Sequence, residues 1–185
     1  MMKVYNTLFL CTGNSARSIM AEALLNYWGK DRFQAYSAGS HPKGYVHPMA
    51  LAVLERNHLP TAHLRSKTWD EFAAPHGPPF DFVFTVCDRA ARETCPIWPG
   101  HPTTAHWGIE DPADIQGSDT KKERAFTRAF QELDARVKMF TGLRLDALDH
   151  AALQRELDAI GKMKDRKSTR LNSSHIQKSR MPSSA

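Results

Sequence analysis

Cysteine is scarce in this 185-residue sequence, which has three: Cys11, Cys87 and Cys95. Three thiols are too few for a disulfide framework, and their spacings match no zinc-binding signature. The rest of the composition is that of an ordinary globular protein, with 41% hydrophobic and 24% charged residues. The cysteines therefore indicate redox or nucleophilic chemistry, and we expect no metal and no tightly bound cofactor.

Long hydrophobic runs are also missing. No apolar stretch approaches the ~20 residues that cross a bilayer. The first residues enter a strand-like pattern without the hydrophobic region of a signal peptide. The sequence has no internal repeat. We therefore expect a single-domain, monomeric protein of the cytoplasm that does not bind membranes.

Acidic residues are absent from residues 166–185, which carry five basic residues. The net charge of +5 comes from this segment, because residues 1–165 contain 20 basic and 20 acidic residues. A pI near 9.2 is therefore no sign of nucleic-acid binding, which we do not expect. The segment is rich in serine and lacks apolar periodicity. We predict that residues 1–165 form the domain, and that residues 166–185 are a disordered tail or a translated cloning remnant.

The apolar pattern predicts strands that alternate with helices. Four β-rich runs cover residues 4–10, 33–38, 80–86 and 103–107, and helical patterns cover 19–28, 48–54, 89–94, 126–140 and 153–160. This alternation predicts an α/β domain with a four-stranded parallel sheet flanked by helices on both faces. The predicted core stripes are Met20, Leu24, Tyr27 and Trp28 on one helix, and Phe126, Phe130, Leu133, Val137 and Phe140 on another.

A short loop joins the first predicted strand to the first helix. Its backbone N–H groups and the N-terminus of that helix favour an anion, and Arg17 can hold two oxygens of it. Gly13 permits the tight backbone. The same positive field favours a thiolate, so Cys11 is predicted to attack the bound oxyanion. The predicted oxyanion-binding residues are Thr12, Gly13, Asn14, Ser15, Ala16, Arg17 and Ser18.

The loop, Ser37-Ala38-Gly39 and the stretches 94–100 and 106–112 resemble the low-molecular-weight protein tyrosine phosphatase superfamily. The resemblance is greatest to its thioredoxin-coupled arsenate reductase branch and covers about residues 3–142. It implies arsenic detoxification in which Cys11 attacks arsenate and Asp111 protonates the leaving oxygen. Asp111 precedes Pro112, so it is also suited to cap a helix, and the two roles are compatible.

The resemblance also implies a relay of disulfides. Cys87 would attack the Cys11–arsenic adduct and release arsenite, and Cys95 would then attack Cys87. Thioredoxin is the implied reductant of the Cys87–Cys95 disulfide, with glutaredoxin or glutathione as alternatives. A helix through the seven intervening residues would hold the two Cα atoms about 12 Å apart. A disulfide requires about 4.4–6.8 Å, so we predict a mobile segment at residues 88–97.

Some members of that superfamily bind potassium near the positions of Asn14, Glu22 and Ser37, with the help of an aspartate that follows a serine. In this sequence Ser66 is followed by Lys67. An ammonium group there would replace the ion. We therefore expect no potassium requirement.

Two other functions stay open. The main alternative is a phosphatase that hydrolyses phosphomonoesters through a Cys11 phospho-enzyme, because the loop and Asp111 suit phosphate as well as arsenate. Phosphatases of the family often have a tyrosine after the Asp-Pro pair, where this sequence has Ala113, and they have no evident need of Cys87 and Cys95. The other is a non-enzymatic sensor of oxyanions or redox state, which would keep the loop but need no general acid.

Overall fold

The computed structural model describes residues 2–163. Within these residues there are four strands, Tyr5–Leu10 (β1), Phe33–Ala38 (β2), Phe82–Thr85 (β3) and Thr103–His106 (β4). The same range contains five α-helices, Arg17–Trp28 (α1), Pro48–Arg56 (α2), Asp88–Arg92 (α3), Asp119–Thr141 (α4) and His150–Gly161 (α5). Short 3-10 helices cover Trp69–Glu71 and Pro112–Asp114. Residues 166–185 lie outside the described residues, so the domain boundary at residue 165 stays a prediction.

The four strands form one parallel sheet in the order β2-β1-β3-β4. Leu10 pairs with Ala38 on one side and with Thr85 on the other, and Thr85 pairs with His106. The carboxyl ends of all four strands therefore meet at one edge. The strand order reverses next to β1, and ligands of such sheets bind at that reversal. The predicted four-stranded parallel sheet is confirmed.

The main hydrophobic core lies on the face of the sheet that carries Phe9 and Cys11. Side chains of a strand alternate between faces, so this face of β1 and the facing residues of β3 pack against α1, α4 and α5. Phe84 stacks on Trp107 with ring centroids 3.9 Å apart, and Phe140 meets Phe84 edge-on. The predicted stripe of α4 is buried along its whole length.

The opposite face has a thinner cover. Leu8 and Leu10 point to it, and they pack with Trp98 against the 3-10 helix that contains Trp69 and the loop around Phe72. The prediction of helices on both faces is confirmed, although this second cover has a single 3-10 turn. Proline and glycine are frequent in residues 75–79, and they prevent a longer helix there.

Two predicted core residues are not in the core. Tyr27 and Trp28 are 49% and 44% exposed at the C-terminal end of α1. Trp28 instead donates a 2.7 Å hydrogen bond to Asp134 of α4 and lies under the ammonium group of Lys138. Within residues 2–163 no helix has the length and apolar content needed to cross a membrane.

Candidate active site

The loop after β1 is held in place by hydrogen bonds to its backbone carbonyl oxygens. Its carbonyl oxygens accept from backbone N–H groups of the next loop: Thr12 from His41, Gly13 from Lys43 and Ser15 from His47, at 2.8–3.0 Å. Because these carbonyls point outward, the N–H groups of the loop face the cleft, as an anion site requires. The first residue of α1, Arg17, completes the concave surface.

Asn14 holds the loop from within. It has a positive φ of 41° and a fully buried side chain, and asparagine tolerates this backbone conformation better than most residues. Its amide nitrogen donates to Ser18 Oγ at 2.8 Å and to Ser37 Oγ at 3.0 Å. We predicted the tight turn at Gly13, but among the loop residues it is Asn14 that has the positive φ. Ser18 is placed behind the loop, where it supports Asn14, and does not line the cleft.

Gly39, directly after β2, and Lys67 support the back of the loop. A Cβ atom at Gly39 would lie 2.5 Å from the carbonyl oxygens of Cys11 and Thr12, so only glycine fits there. The Lys67 ammonium group donates to the carbonyl of Ser37 at 2.8 Å and lies 3.6 Å from Glu22. Burial lowers the pKa of Lys67, and the Glu22 carboxylate opposes that shift.

The cleft in front of the loop has a volume of about 830 Å³. Arg17 and Asp111 form its polar wall: one Arg17 nitrogen donates to the carbonyl of Ile109 at 2.9 Å and another lies 3.2 Å from Asp111 Oδ2. The other oxygen of Asp111 accepts the N–H of Ala113 at 3.0 Å and caps the 3-10 helix Pro112–Asp114. Asp111 therefore caps a helix and also presents an oxygen to the cleft.

Cys11 and Cys87 meet at the bottom of this cleft. They follow the neighbouring strands β1 and β3, and both are buried and line the cleft. Interaction with the Cys11 thiol lowers the pKa of Cys87 from its ordinary value of 9.0 to about 5, aided by backbone N–H groups of Thr12 and Ala90. The Cys87 sulfur and burial raise the pKa of Cys11, although the charge of Arg17 acts in the opposite direction.

The pair therefore holds one proton between two sulfurs near neutral pH, because the first proton leaves easily and the second with difficulty. We predicted a thiolate on Cys11, and this stays a prediction. The charge of Arg17 and the loop backbone favour a negative charge on the Cys11 sulfur, whereas burial and the neighbouring thiol oppose it.

Cys95 is exposed and does not line the cleft. The helix that we predicted over 89–94 is shorter: α3 ends at Arg92, and Glu93 is extended with φ −77° and ψ 148°. The estimate of a helix through all seven intervening residues was therefore wrong, because the chain after Arg92 is already non-helical. The structure brings together Cys11, Arg17, Cys87 and Asp111 and leaves Cys95 outside.

The sequence profile of the family described as low molecular weight phosphotyrosine protein phosphatase matches residues 6–159. The chain belongs to this family. It is 38% identical over 136 residues to the arsenate reductase of Halalkalibacterium halodurans, which covers 71% of this chain and 91% of that protein. The arsenate reductase of Bacillus subtilis is 36% identical over 132 residues, with the same coverage of both chains.

Solved structures of the family agree. A crystal structure of arsenate reductase from Archaeoglobus fulgidus has a TM-score of 0.59 at 33% identity, and the match covers 74% of this chain and 99% of that one. The thioredoxin-dependent arsenate reductase of Corynebacterium glutamicum has a TM-score of 0.56 at 26% identity, over 75% of this chain and 60% of that one.

Several residues of this family member's site were missed from sequence. His41, Lys43 and Arg89 line the cleft, and Lys43 and Arg89 add positive charge to it. Arg136, on α4, is buried and donates to the carbonyls of Trp107, Gly108 and Met163 at 3.0–3.2 Å, which fixes the wall that leads to Asp111. None of these residues belongs to a local motif. Among residues 2–163 there is no group of three or more His, Cys, Asp and Glu side chains that could hold a metal ion.

Proposed function

We propose that this protein reduces arsenate to arsenite through a relay of three cysteines, as a step in arsenic detoxification. The observation that carries the proposal is that Cys11 and Cys87, both free thiols, lie together at the bottom of an oxyanion cleft. A phosphatase needs one nucleophilic sulfur at that place, whereas a reductase needs a second sulfur within reach of the first. Relatives that are named arsenate reductases share the fold and over a third of the aligned residues.

In the first step arsenate lies in the loop, where the N–H groups and Arg17 stabilise its charge. The proton of Cys11 passes to Cys87, and the Cys11 sulfur attacks the arsenic atom. Asp111 donates a proton to the departing oxygen, which leaves as water. The product is a Cys11–arsenic adduct in which arsenic is still pentavalent.

In the second step Cys87, after it has lost its proton, attacks the sulfur of Cys11. The Cys11–Cys87 bond forms, and the sulfur–arsenic bond breaks with its electron pair on arsenic, which leaves as trivalent arsenite. Cys95 then attacks Cys87, and Cys11 is released as a thiolate. The resulting Cys87–Cys95 disulfide includes the exposed Cys95, through which an external thiol can reduce it.

Thioredoxin is the reductant that we propose, because Cys95 and the 79%-exposed Ile97 offer a sulfur beside an apolar surface. Glutaredoxin with glutathione is the alternative. A relay that must return to three thiols suits the reducing cytoplasm. We propose that the protein acts there as a monomer, without nucleic acid, and light scattering with and without DNA tests both points.

The deciding experiment measures arsenite formed from arsenate, with thioredoxin and its reductase as the recycling system. Wild type should turn over many times, and Cys11→Ser and Cys87→Ser should release no arsenite. Cys95→Ser should release about one arsenite per molecule and then stop, because its Cys11–Cys87 disulfide cannot be passed on. Full turnover of Cys95→Ser with thioredoxin would contradict the relay, and full turnover with glutaredoxin alone would change the reductant.

Hydrolysis of p-nitrophenyl phosphate is measured on the same samples. The loop and Asp111 suit phosphate too, so a slow hydrolysis that survives Cys95→Ser is compatible with the proposal. Rapid hydrolysis by a wild type that produces no arsenite would instead establish the phosphatase alternative.

A further inference from the structure

Glu93 lies directly after α3 and two residues before Cys95. Its oxygen Oε1 accepts a 3.1 Å hydrogen bond from the Thr12 hydroxyl, and Nε of Arg89 lies 3.9 Å from the same oxygen. The other oxygen, Oε2, is buried and has no hydrogen-bond partner within residues 2–163. A buried carboxylate oxygen without a donor is unfavourable, so this contact is easily opened.

The Thr12 hydroxyl has two possible acceptors but only one proton. Its oxygen is 3.1 Å from Oε1 of Glu93 and 3.8 Å from Sγ of Cys87. A carboxylate at 3.1 Å is the stronger acceptor of the two. While Glu93 is in place, therefore, the hydroxyl proton of Thr12 is directed away from Cys87.

The same residue acts on Cys95. Burial raises the pKa of Cys95, and the negative charge of Glu93 raises it further. The thiol of Cys95 also lies 3.7 Å from the backbone carbonyl of Glu93. A cysteine that stays protonated attacks a disulfide slowly. Glu93 thus connects the oxyanion loop to the chain that carries Cys95 and keeps that sulfur unreactive.

We propose that Glu93 is a positioning residue that latches Cys95 in the resting protein, an inference that rests on the proposed function. In the closed latch Thr12 holds the carboxylate, and Cys95 stays a thiol outside the cleft. When the carboxylate leaves, the Thr12 hydroxyl is free to donate to Cys87, and Cys95 loses a neighbouring negative charge. The Cys95 thiolate then attacks Cys87, a new disulfide bond forms, and the bond from Cys87 to Cys11 breaks and releases Cys11 as a thiolate.

The first test needs no arsenate. The reduced full-length protein is alkylated with iodoacetamide from acidic to alkaline pH, and the Cys95 peptide is followed by mass spectrometry. Glu93→Gln keeps an acceptor for Thr12 but removes the charge, so Cys95 should react about 2- to 5-fold faster at pH 7, with its profile moved to lower pH. The control is Glu156→Gln, which removes an exposed carboxylate on α5. Superimposed profiles of Glu93→Gln and wild type would overturn the proposal, even if the melting temperature had changed.

The second test measures the exchange itself. After a single turnover with arsenate, the appearance of the Cys87–Cys95 disulfide is timed separately from arsenite release. Glu93→Gln and Glu93→Ala should both form it faster than wild type, and Glu93→Ala at least as fast as Glu93→Gln, because it also frees Thr12. Slower or equal formation in both variants would refute the latch. If wild type released no arsenite while the alkylation profile still moved, the proposed function would fail and the effect of Glu93 on Cys95 would stand.

Discussion

The oxyanion loop and the segment that carries Cys95 differ in how they are held. The loop, residues 11–18, is buried or half-buried, and the carbonyls of Thr12, Gly13 and Ser15 accept hydrogen bonds from the segment at residues 41–47. The amide of Asn14 is hydrogen-bonded as well. The relay segment, residues 88–97, has a five-residue helix and a mostly exposed remainder. Its polar ties include the 2.8 Å contact of Asp88 with His106 and the bond of Thr12 to Glu93. In the proposed relay, binding and the first bond belong to the firmly held loop, and sulfur exchange belongs to the segment with fewer ties.

The largest effect is expected from a substitution in the oxyanion loop. Arg17→Ala removes the guanidinium from the oxyanion and from Asp111, so kcat/KM for arsenate should fall by roughly 100- to 1,000-fold, as for the loss of one main charge-stabilising donor. Arg17→Lys is the matched control. It keeps the charge but loses the planar fork, so it should recover only part of the loss. A tenfold or smaller effect of Arg17→Ala would place the oxyanion elsewhere.

Asp111→Asn separates the two roles of Asp111. Asparagine still caps the 3-10 helix by accepting from Ala113, so the melting temperature should stay close to that of wild type. It cannot donate a proton as an acid does, so the rate of adduct formation should fall about 100-fold. A matched fall in stability and rate would mean that the residue is mainly structural.

On the mobile side, the oxidised and reduced proteins should differ in proteolysis. Arg89 and Arg92 are trypsin sites in or at the end of α3, and formation of the Cys87–Cys95 disulfide requires this segment to rearrange. Cleavage there should be at least about 5-fold faster in the oxidised protein, because local opening sets the rate. Equal rates would contradict the mobility that the relay needs.

The thiol pair joins the two regions and can be titrated. The pKa of Cys87 is about 5 in the folded protein against an ordinary 9.0, so wild type should show about one thiolate from the pair at pH 7 by ultraviolet absorbance. Between these values the unfolded chain binds more protons, so the free energy of unfolding should rise with pH and lose this contribution as the pH falls to about 5. Cys11→Ser removes the main cause of the shift and should remove most of both effects. An unchanged titration in that variant would contradict the shared proton.

The smallest effect is expected from potassium. Lys67 already places a cation beside Glu22 and Ser37, behind the loop, so replacing sodium chloride with potassium chloride should change the arsenate reductase rate by less than about twofold. Lys67→Met should cost about 3 kcal/mol of stability, because it leaves the buried Glu22 carboxylate without its cation. A several-fold activation of wild type by potassium would show that the ammonium group does not replace the ion.

Local sequence predicted the parts of the site that are local in the chain. Cys11 and the loop followed from a strand, a short turn and a helix, and Asp111 followed from a motif. The proximity of Cys11 and Cys87, and its effect on both pKa values, depend on the pairing of β1 with β3 across more than seventy residues of sequence. The role of Arg136 could not be predicted from the sequence for the same reason, because only the packing of α4 brings its three carbonyl partners to it. For Tyr27 and Trp28 the helical spacing was correct, but it did not show that their side chains are exposed at the end of α1.

Arg136 has a consequence for how the reaction rate depends on solvent viscosity. It ties the wall that leads to Asp111, so the proposed general acid should reach the departing oxygen without a closing movement of the chain. Adduct formation should therefore be indifferent to the viscosity of the solvent once arsenate has bound. Disulfide exchange with Cys95 requires residues to move through water, so its rate should fall as viscosity rises. Added glycerol or sucrose would therefore distinguish adduct formation from disulfide exchange.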